Sequence, residues 1–162
     1  MIGRYAVLAG SIRQDVSALD RVVEQVTEAV EALKSGTGGA AIPLAAAALN
    51  LHGFYAGVER IFLQVASGLE QSTPSGSDWH RELLRQMTVD LPGIRPPVLS
   101  AEEAHTLGEF LRFRRVVRSV YSFNLDPERA ERLADNLRPV WREVGAQLLA
   151  FVVFLEGLAN DT

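Results

Sequence analysis

The chain contains no cysteine, which excludes disulfides, thiolate nucleophiles and cysteine-ligated metals. It also lacks a long apolar run, because the longest one, Leu148–Leu155, is far shorter than the roughly 20 residues of a membrane span. The amino terminus, Met1 to Tyr5, shows no charged segment followed by an apolar stretch and a small-residue cleavage site. These absences favour a cytoplasmic protein with no membrane partner.

The chain also lacks a large excess of charge of either sign. Its 16 basic and 20 acidic residues give a formal net charge of -4. The 162 residues are enough for one domain with a substantial core, so we expect residues 1–162 to form a single domain. With 48% hydrophobic and 22% charged residues, the composition is that of an ordinary folded protein.

Helical periodicity dominates the pattern of apolar residues. A stripe from Ile12 to Leu33 repeats every three or four residues, and the glycine-rich segment 35–39 ends it. Pro43 suits the first turn of a second helix, predicted over about 43–70, whose Ala45–Ala48 segment would allow a neighbouring helix to approach closely.

The second half of the chain predicts two more long helical regions and one short helix. Ser77 or Asp78 can cap the short helix around Trp79–Met87, and the proline-rich segment 91–97 cannot be helical. Ser100 with Glu103 forms a capping box for a helix that should end near Phe123–Asn124. Asp126–Pro127 begins a last region, in which we expect Pro139 to introduce a kink or a break.

No strand pattern, internal repeat or interdomain linker interrupts these helices. The prediction is therefore an all-α bundle of four main helices plus a short extra helix. The apolar segment Leu148–Leu155 is read as core in preference to a subunit contact.

The most informative segment places four arginines within seven residues: Arg112, Arg114, Arg115 and Arg118. No carboxylate lies between Glu109 and Asp126. Such a cationic spot on an acidic chain suits a phosphate-bearing ligand. The alternative is that the arginines pair with acids of neighbouring helices, for which Asp20, Glu24 and Glu59 are the candidates.

Known catalytic signatures are otherwise missing. There is no nucleophile elbow and no glycine-rich phosphate loop after a strand. The three histidines, His52, His80 and His105, would bind a metal only if their rings converged, and Glu102 with His105 is the single Glu-x-x-His pair. Structural histidines are the better interpretation, so no metal and no other cofactor is predicted.

At the arginine stretch the chain resembles the HEPN superfamily, and within it the HepT-like ribonuclease toxins of toxin–antitoxin pairs. The hallmark of that family is an arginine, a polar residue, a histidine five positions after the arginine and a tyrosine two further on. Arg114, Arg115, Ser119 and Tyr121 occupy these positions. The resemblance extends over most of the chain from about 45 to 158 and includes the segments 51–62, 79–87, 95–100, 113–121 and 123–126.

The resemblance implies metal-independent cleavage of RNA, in which the ribose 2′-hydroxyl attacks the adjacent phosphate. Arg114, assisted by Arg118, would stabilise charge on the phosphate, and Arg112, Arg115 and Arg118 would bind nucleic acid. One branch of the family reads Arg-His-x-x-Arg-Asn-x-Tyr here, whereas this chain has Arg115 and Ser119. Ser119, at the catalytic histidine position, is poorly suited to proton transfer, which predicts weakened or absent catalysis unless His52 or His80 substitutes.

The family further implies a homodimer whose motif helices face each other, and a nucleotidyltransferase antitoxin that modifies the motif tyrosine, here Tyr121. Three hypotheses remain open: an RNA-cleaving toxin, a non-catalytic module that binds RNA or nucleotide, and a helical dimerisation scaffold. Tyr121 is equally consistent with an ordinary tyrosine at a helix end.

Overall fold

The computed structural model describes residues 2–121 and 124–161. Within these ranges the chain forms five α-helices and no strand: α1 (Ile2–Ser35), α2 (Ala41–Val65), α3 (Trp79–Gln86), α4 (Ala101–Ser119) and α5 (Pro127–Asn160). Helix α2 continues into a π-helical turn, Ala66–Glu70. The predicted all-α bundle of four main helices and one short helix is confirmed.

Helix boundaries follow local signals in the sequence. Helix α1 ends where Gly36, Gly38 and Gly39 take positive φ angles of 69°, 81° and 89°, which favour glycine. The Ser100 hydroxyl accepts a hydrogen bond from the Glu103 amide at the start of α4, 3.3 Å away. In a capping box the Glu103 side chain would accept from the Ser100 amide. Here that amide donates instead to Gln147 Oε1, at 2.8 Å.

Helix α5 also starts as predicted, with Asp126 accepting from the Glu128 amide and Pro127 in the first turn. Of the two effects expected at Pro139, a kink or a break, the break is wrong, since one helix runs from Pro127 to Asn160. Pro139 lies on the exposed side of the helix. The carbonyl four residues earlier, which a proline cannot pair with, therefore faces solvent and costs little.

Helix α4 is shorter than predicted, because it ends at Ser119 and Val120 is extended with φ -128° and ψ 157°. Val120 is 38% exposed, so no burial of its side chain compensates for the low helix propensity of a β-branched residue. Tyr121 consequently lies beyond the end of the helix, although the predicted helix would have included it. Phe123, part of the predicted helix end, lies outside the described residues.

The core lies between α1, α2 and α5, and α4 packs against both α2 and α5 and adds its apolar residues to the same core. Phe54 of α2 is fully buried and contacts Phe110 of α4 and Trp141 of α5, with ring centroids 5.5 and 5.7 Å away. Ala47 and Ala48 are buried, as expected of a closely packed helix start. Helix α2 is thus the central helix that positions everything described below.

The connection between α3 and α4 is fixed by Arg95, which is 2% exposed. Its guanidinium pairs with Glu70 at the end of the π-helical turn. It also donates to the carbonyl oxygens of Val89, Pro96 and Gln86 at 2.9 to 3.0 Å. A buried charge paired and hydrogen-bonded in this way holds the non-helical segment 91–97 against the bundle.

Two stretches, Ala41–Glu70 and Pro127–Asn160, each contain an 18-residue window of mean hydropathy 1.3, long and apolar enough to cross a membrane. Of these windows 39% and 33% are buried inside the bundle. Core helices of soluble proteins meet the same criterion, so it is weak evidence for a span. The absence of a membrane partner stays a prediction.

Candidate functional site

The arginine stretch is divided by α4 into an inward and an outward part. Leu107, Phe110 and Leu111 form the buried stripe of α4, and Arg114 continues it at the i+3 and i+4 spacing. Its side chain is 12% exposed and turned toward α2. Arg112, Arg115 and Arg118 are exposed. Arg114 is therefore the arginine that the fold itself positions.

Glu59 of α2 is the acid that faces Arg114. The residue is 5% exposed, and its Oε1 atom lies 3.7 Å from a terminal guanidinium nitrogen of Arg114. Of the three acids considered from the sequence, Asp20 instead accepts from the Trp141 indole at 2.6 Å, and Glu24 pairs with Arg138 at 3.1 Å. The alternative that an arginine of this stretch pairs with an acid of a neighbouring helix therefore holds for Arg114, whose partner is Glu59.

His80 completes this group from the start of α3. Its Nδ1 atom lies 2.7 Å from Glu59 Oε2, and the Trp79 ring stacks on the imidazole at a centroid distance of 3.7 Å. When Glu59 is ionised its carboxylate can only accept, and the proton of this contact is then on Nδ1. The Arg114 nitrogen 3.3 Å from Nδ1 is then in close contact rather than hydrogen-bonded, and Nε2 remains for a further partner.

Helix α2 presents three polar residues along one face toward α4: His52, Tyr55 and Glu59, at i, i+3 and i+7. Burial lowers the pKa of His52, and the positive charges of Arg114 and Arg118 lower it further. Burial, and next the Glu59 charge, raise the pKa of Tyr55. Arg114 lowers the pKa of both His52 and Tyr55, which agrees with a position of this face of α2 opposite the arginine stretch.

Two polar atoms at this contact are buried without a hydrogen-bond partner in the described part of the chain: Tyr55 Oη and Arg114 Nε. Buried polar groups nearly always have one. In addition, the 3.7 Å between Arg114 and Glu59 exceeds hydrogen-bond length, so the guanidinium N–H groups form no hydrogen bond with Glu59. The group formed by Glu59, His80 and Arg114 therefore has unused capacity to donate hydrogen bonds.

Ser119, at the motif position of the catalytic histidine, is not part of this group. It is exposed at the last position of α4, and its hydroxyl donates to the Val116 carbonyl at 3.1 Å. Arg115 pairs with Asp78 at 3.4 Å. Asp78, one of the two residues expected to cap α3, occupies the N-cap position but its side chain makes no capping hydrogen bond. The Arg118 guanidinium forms no ion pair or hydrogen bond with the described residues. Tyr121 is 73% exposed.

The three histidines do not converge within residues 2–121 and 124–161, where no three metal-ligating side chains form a cluster. His80 contacts Arg114, and the charge of Arg114 lowers the pKa of His52, whereas His105 lines a separate groove between α3 and α4. Sequence reasoning named Glu59 and His80 separately and missed their contact. Arg112 also leaves the predicted cluster, because it points to the side of α4 away from Arg114.

The same region carries the similarity to known proteins. A family model described as HepT-like protein matches residues 46–155, which begin in α2 and extend into α5. The match therefore includes Glu59, His80 and Arg114. Comparisons with curated proteins and with solved structures gave no match.

Proposed function

The chain belongs to the HepT-like protein family, and on that premise we propose that it is the RNA-directed toxin of a toxin–antitoxin pair, a metal-independent endoribonuclease weakened by its altered motif. The observation that carries this proposal is the buried group of Glu59, His80 and Arg114 beside the exposed Arg118. It combines a cation for phosphate with an imidazole for proton transfer. Cleavage of cellular RNA would take place in the cytoplasm.

Arg114 would hold the phosphate that is attacked. The N–H groups of its two terminal nitrogens suit two parallel hydrogen bonds to phosphate oxygens, because the nearer one lies 3.7 Å from Glu59, beyond hydrogen-bond length, and donors held in a partly buried site stabilise developing negative charge more than donors in water do. Arg118 lies one turn further along α4, exposed and without an ion pair to a described residue, and would hold the same or the next phosphate.

His80 is the imidazole nearest to Arg114 and would move the proton in place of Ser119. In the proposed step the 2′-oxygen bonds to phosphorus and its proton passes to His80 Nε2, while the bond to the 5′-oxygen breaks and that oxygen takes a proton from water. The products carry a 2′,3′-cyclic phosphate and a 5′-hydroxyl. Glu59 would orient the ring by accepting from Nδ1, as a carboxylate does for other catalytic histidines.

Cleavage of labelled RNA by the purified protein in EDTA tests this function. Arg114→Gln should lower the rate about 10²–10³-fold, the usual loss for one donor at a developing charge. His80→Asn should lower it about 10²–10⁴-fold, the usual worth of a general acid or base. Arg60→Gln, an exposed arginine on α2, is the control and should cleave like the wild type. An Arg114→Gln protein as fast as the wild type contradicts the proposal.

A non-catalytic RNA-binding module is the second candidate, and Ser119 is the observation that favours it. A hydroxyl bonded to the Val116 carbonyl cannot supply the imidazole chemistry of the motif. This candidate predicts no cleavage, but salt-sensitive RNA binding that Arg114→Gln weakens. The variant Ser119→His separates the two, because it should raise cleavage in a weakened nuclease.

The family also suggests a homodimer and a nucleotidyltransferase antitoxin that acts on Tyr121. The 73% exposure of Tyr121, just beyond the end of α4, supports access by such an enzyme. Incubation with the nucleotidyltransferase of a neighbouring gene and a nucleotide, followed by mass spectrometry, should detect a nucleotide adduct on Tyr121. No adduct, or one elsewhere, would leave Tyr121 as an ordinary tyrosine after a helix.

A further inference from the structure

Arg112 lies on a different side of α4 from the Arg114 site. Two residues apart on an α-helix means about 200° of rotation, so the two side chains point nearly opposite ways. Arg112 lines two grooves on the outer surface. One, between α4 and α5, has a volume of about 300 Å³ and is lined by Arg112, Arg129 and Arg132 among others. The second, between α3 and α4, has a volume of about 380 Å³ and is lined by Arg81, Arg85 and Arg112 among others.

The two grooves form one basic surface, which we name the Arg112 surface: Arg81, Arg85, Arg112, Arg129 and Arg132. Their guanidinium groups form no ion pair or hydrogen bond with the described residues. Among the described residues that line the two grooves, Glu109 is the single carboxylate. Unpaired like charges repel one another, and their retention together on an acidic protein indicates an anionic partner.

Packing positions two of these arginines. The Arg129 guanidinium lies 5.7 Å from the centroid of the buried Phe113 ring, a cation–π contact. The Arg112 guanidinium lies back over Gly108, one turn earlier on α4, where an added Cβ would meet it at 3.6 Å. Arg112 is thus directed along the junction of the two grooves, and a ligand in either groove would reach it.

We infer that the Arg112 surface binds successive phosphates of an RNA strand, as a second contact region separate from the Arg114 site. Guanidinium groups grip phosphate by two parallel hydrogen bonds. Each groove is near the small end of ligand pockets, and the two share Arg112, which suits a chain of phosphates better than a single ion. The identity of the polyanion as RNA rests on the proposed function.

The test measures binding of a short fluorescent 2′-O-methyl RNA, which cannot undergo 2′-hydroxyl attack, as a function of salt concentration. The groove variant is Arg112→Gln/Arg129→Gln/Arg132→Gln. The control variant is Arg4→Gln/Arg21→Gln/Arg142→Gln, which removes the same charge from exposed arginines that line neither groove. A comparison of unfolding temperatures ensures that both variants are folded under the assay conditions.

The groove variant should flatten the dependence of log K on log salt by about 2, since each lost phosphate contact on a single strand contributes about 0.7. At 0.1 M salt this corresponds to a loss of affinity on the order of 100-fold. The control variant should bind like the wild type, and Arg114→Gln should keep most of its affinity. Equal binding by the groove and control variants overturns the inference.

Other outcomes separate this inference from the proposed function. If the wild type binds RNA and only the Arg114→Gln variant loses RNA binding, the inference that the Arg112 surface binds RNA is wrong, and the proposed function stands. If the wild type binds no RNA, both fail. Displacement of RNA by adenosine monophosphate at equal phosphate concentration would assign the grooves to single nucleotides, and equal binding of poly-glutamate would assign them to acidic proteins. Either result overturns the RNA assignment.

Discussion

Replacing Glu59 by glutamine should destabilise the protein strongly, because it removes the acid that faces a mostly buried arginine. The side chains of Glu59 and Arg114 are 6% and 12% exposed and approach to 3.7 Å. At an effective dielectric constant of about 20, two unit charges at this distance attract by about 4–5 kcal/mol. Removing one partner of a buried pair typically costs about 3–5 kcal/mol, because the other charge stays buried without compensation.

We expect Glu59→Gln to lower the free energy of unfolding by about 3 kcal/mol. A domain of this size loses about 2–4 °C of unfolding temperature per kcal/mol, so thermal unfolding should shift down by about 6–12 °C. Glutamine keeps the shape of the side chain and can still accept from His80 Nδ1, so the loss reports mainly on the charge. Glu24→Gln, whose carboxylate pairs with Arg138 on the surface, is the matched control.

A double-mutant cycle with Arg114→Met assigns the loss to this pair. If the two charges interact, the double variant should be more stable than the sum of the single effects predicts, by about 1–3 kcal/mol. Denaturant unfolding of the four proteins gives the coupling free energy. Additive effects, or a Glu59→Gln protein within about 0.5 kcal/mol of the wild type, would refute the reasoning for the site.

Three further predictions test other parts of the structure. The folded-state pKa of His52 lies below its ordinary value of 6.5, so the unfolded chain binds more protons than the folded chain as the pH falls through that value. Acidification should therefore lower the free energy of unfolding. Unfolding experiments at several pH values should show a weaker pH dependence for His52→Gln than for the wild type. Arg95→Met should cost about 3–5 kcal/mol in denaturant unfolding, since it leaves Glu70 buried without its partner, whereas the exposed Arg60→Met should cost under about 0.5 kcal/mol. Gly57→Ala should be less stable than Gly53→Ala by about 1–3 kcal/mol, because the added Cβ would meet Leu19 Cδ2 at 2.6 Å, whereas nothing lies within 4 Å at Gly53; equal stabilities would contradict this packing of α1 on α2.

The sequence predicted the helices because periodicity and caps are local properties. The stripe from Ile12 to Leu33, the glycines after Ser35, and Asp126 with Pro127 each mark a feature that the structure contains. The errors arose where the solvent exposure of a residue decides whether a helix continues. Pro139 was tolerated because it faces solvent, and Val120 left the helix because no burial held it there.

The site was only partly predictable, because its residues come from three helices. Arg114 was identified from its motif, and its opposition to Arg112 follows from helix geometry alone. The contact of Glu59 with His80 depends on how α3 packs on the rest of the bundle through its buried Leu83 and Leu84, and local sequence does not specify which other helix they meet. Likewise, no spacing in the sequence links Arg112 to Arg129 and Arg132, since these residues lie on two different helices, α4 and α5.

The most direct test of the account is the chemistry of the RNA ends produced in EDTA. The wild type should release fragments with 2′,3′-cyclic phosphate and 5′-hydroxyl ends, and Arg114→Gln and His80→Asn should release far fewer at equal protein concentration. Fragments with 5′-phosphate ends, or equal yields from Arg114→Gln, would contradict the claim that Arg114 and His80 cleave RNA through the 2′-hydroxyl.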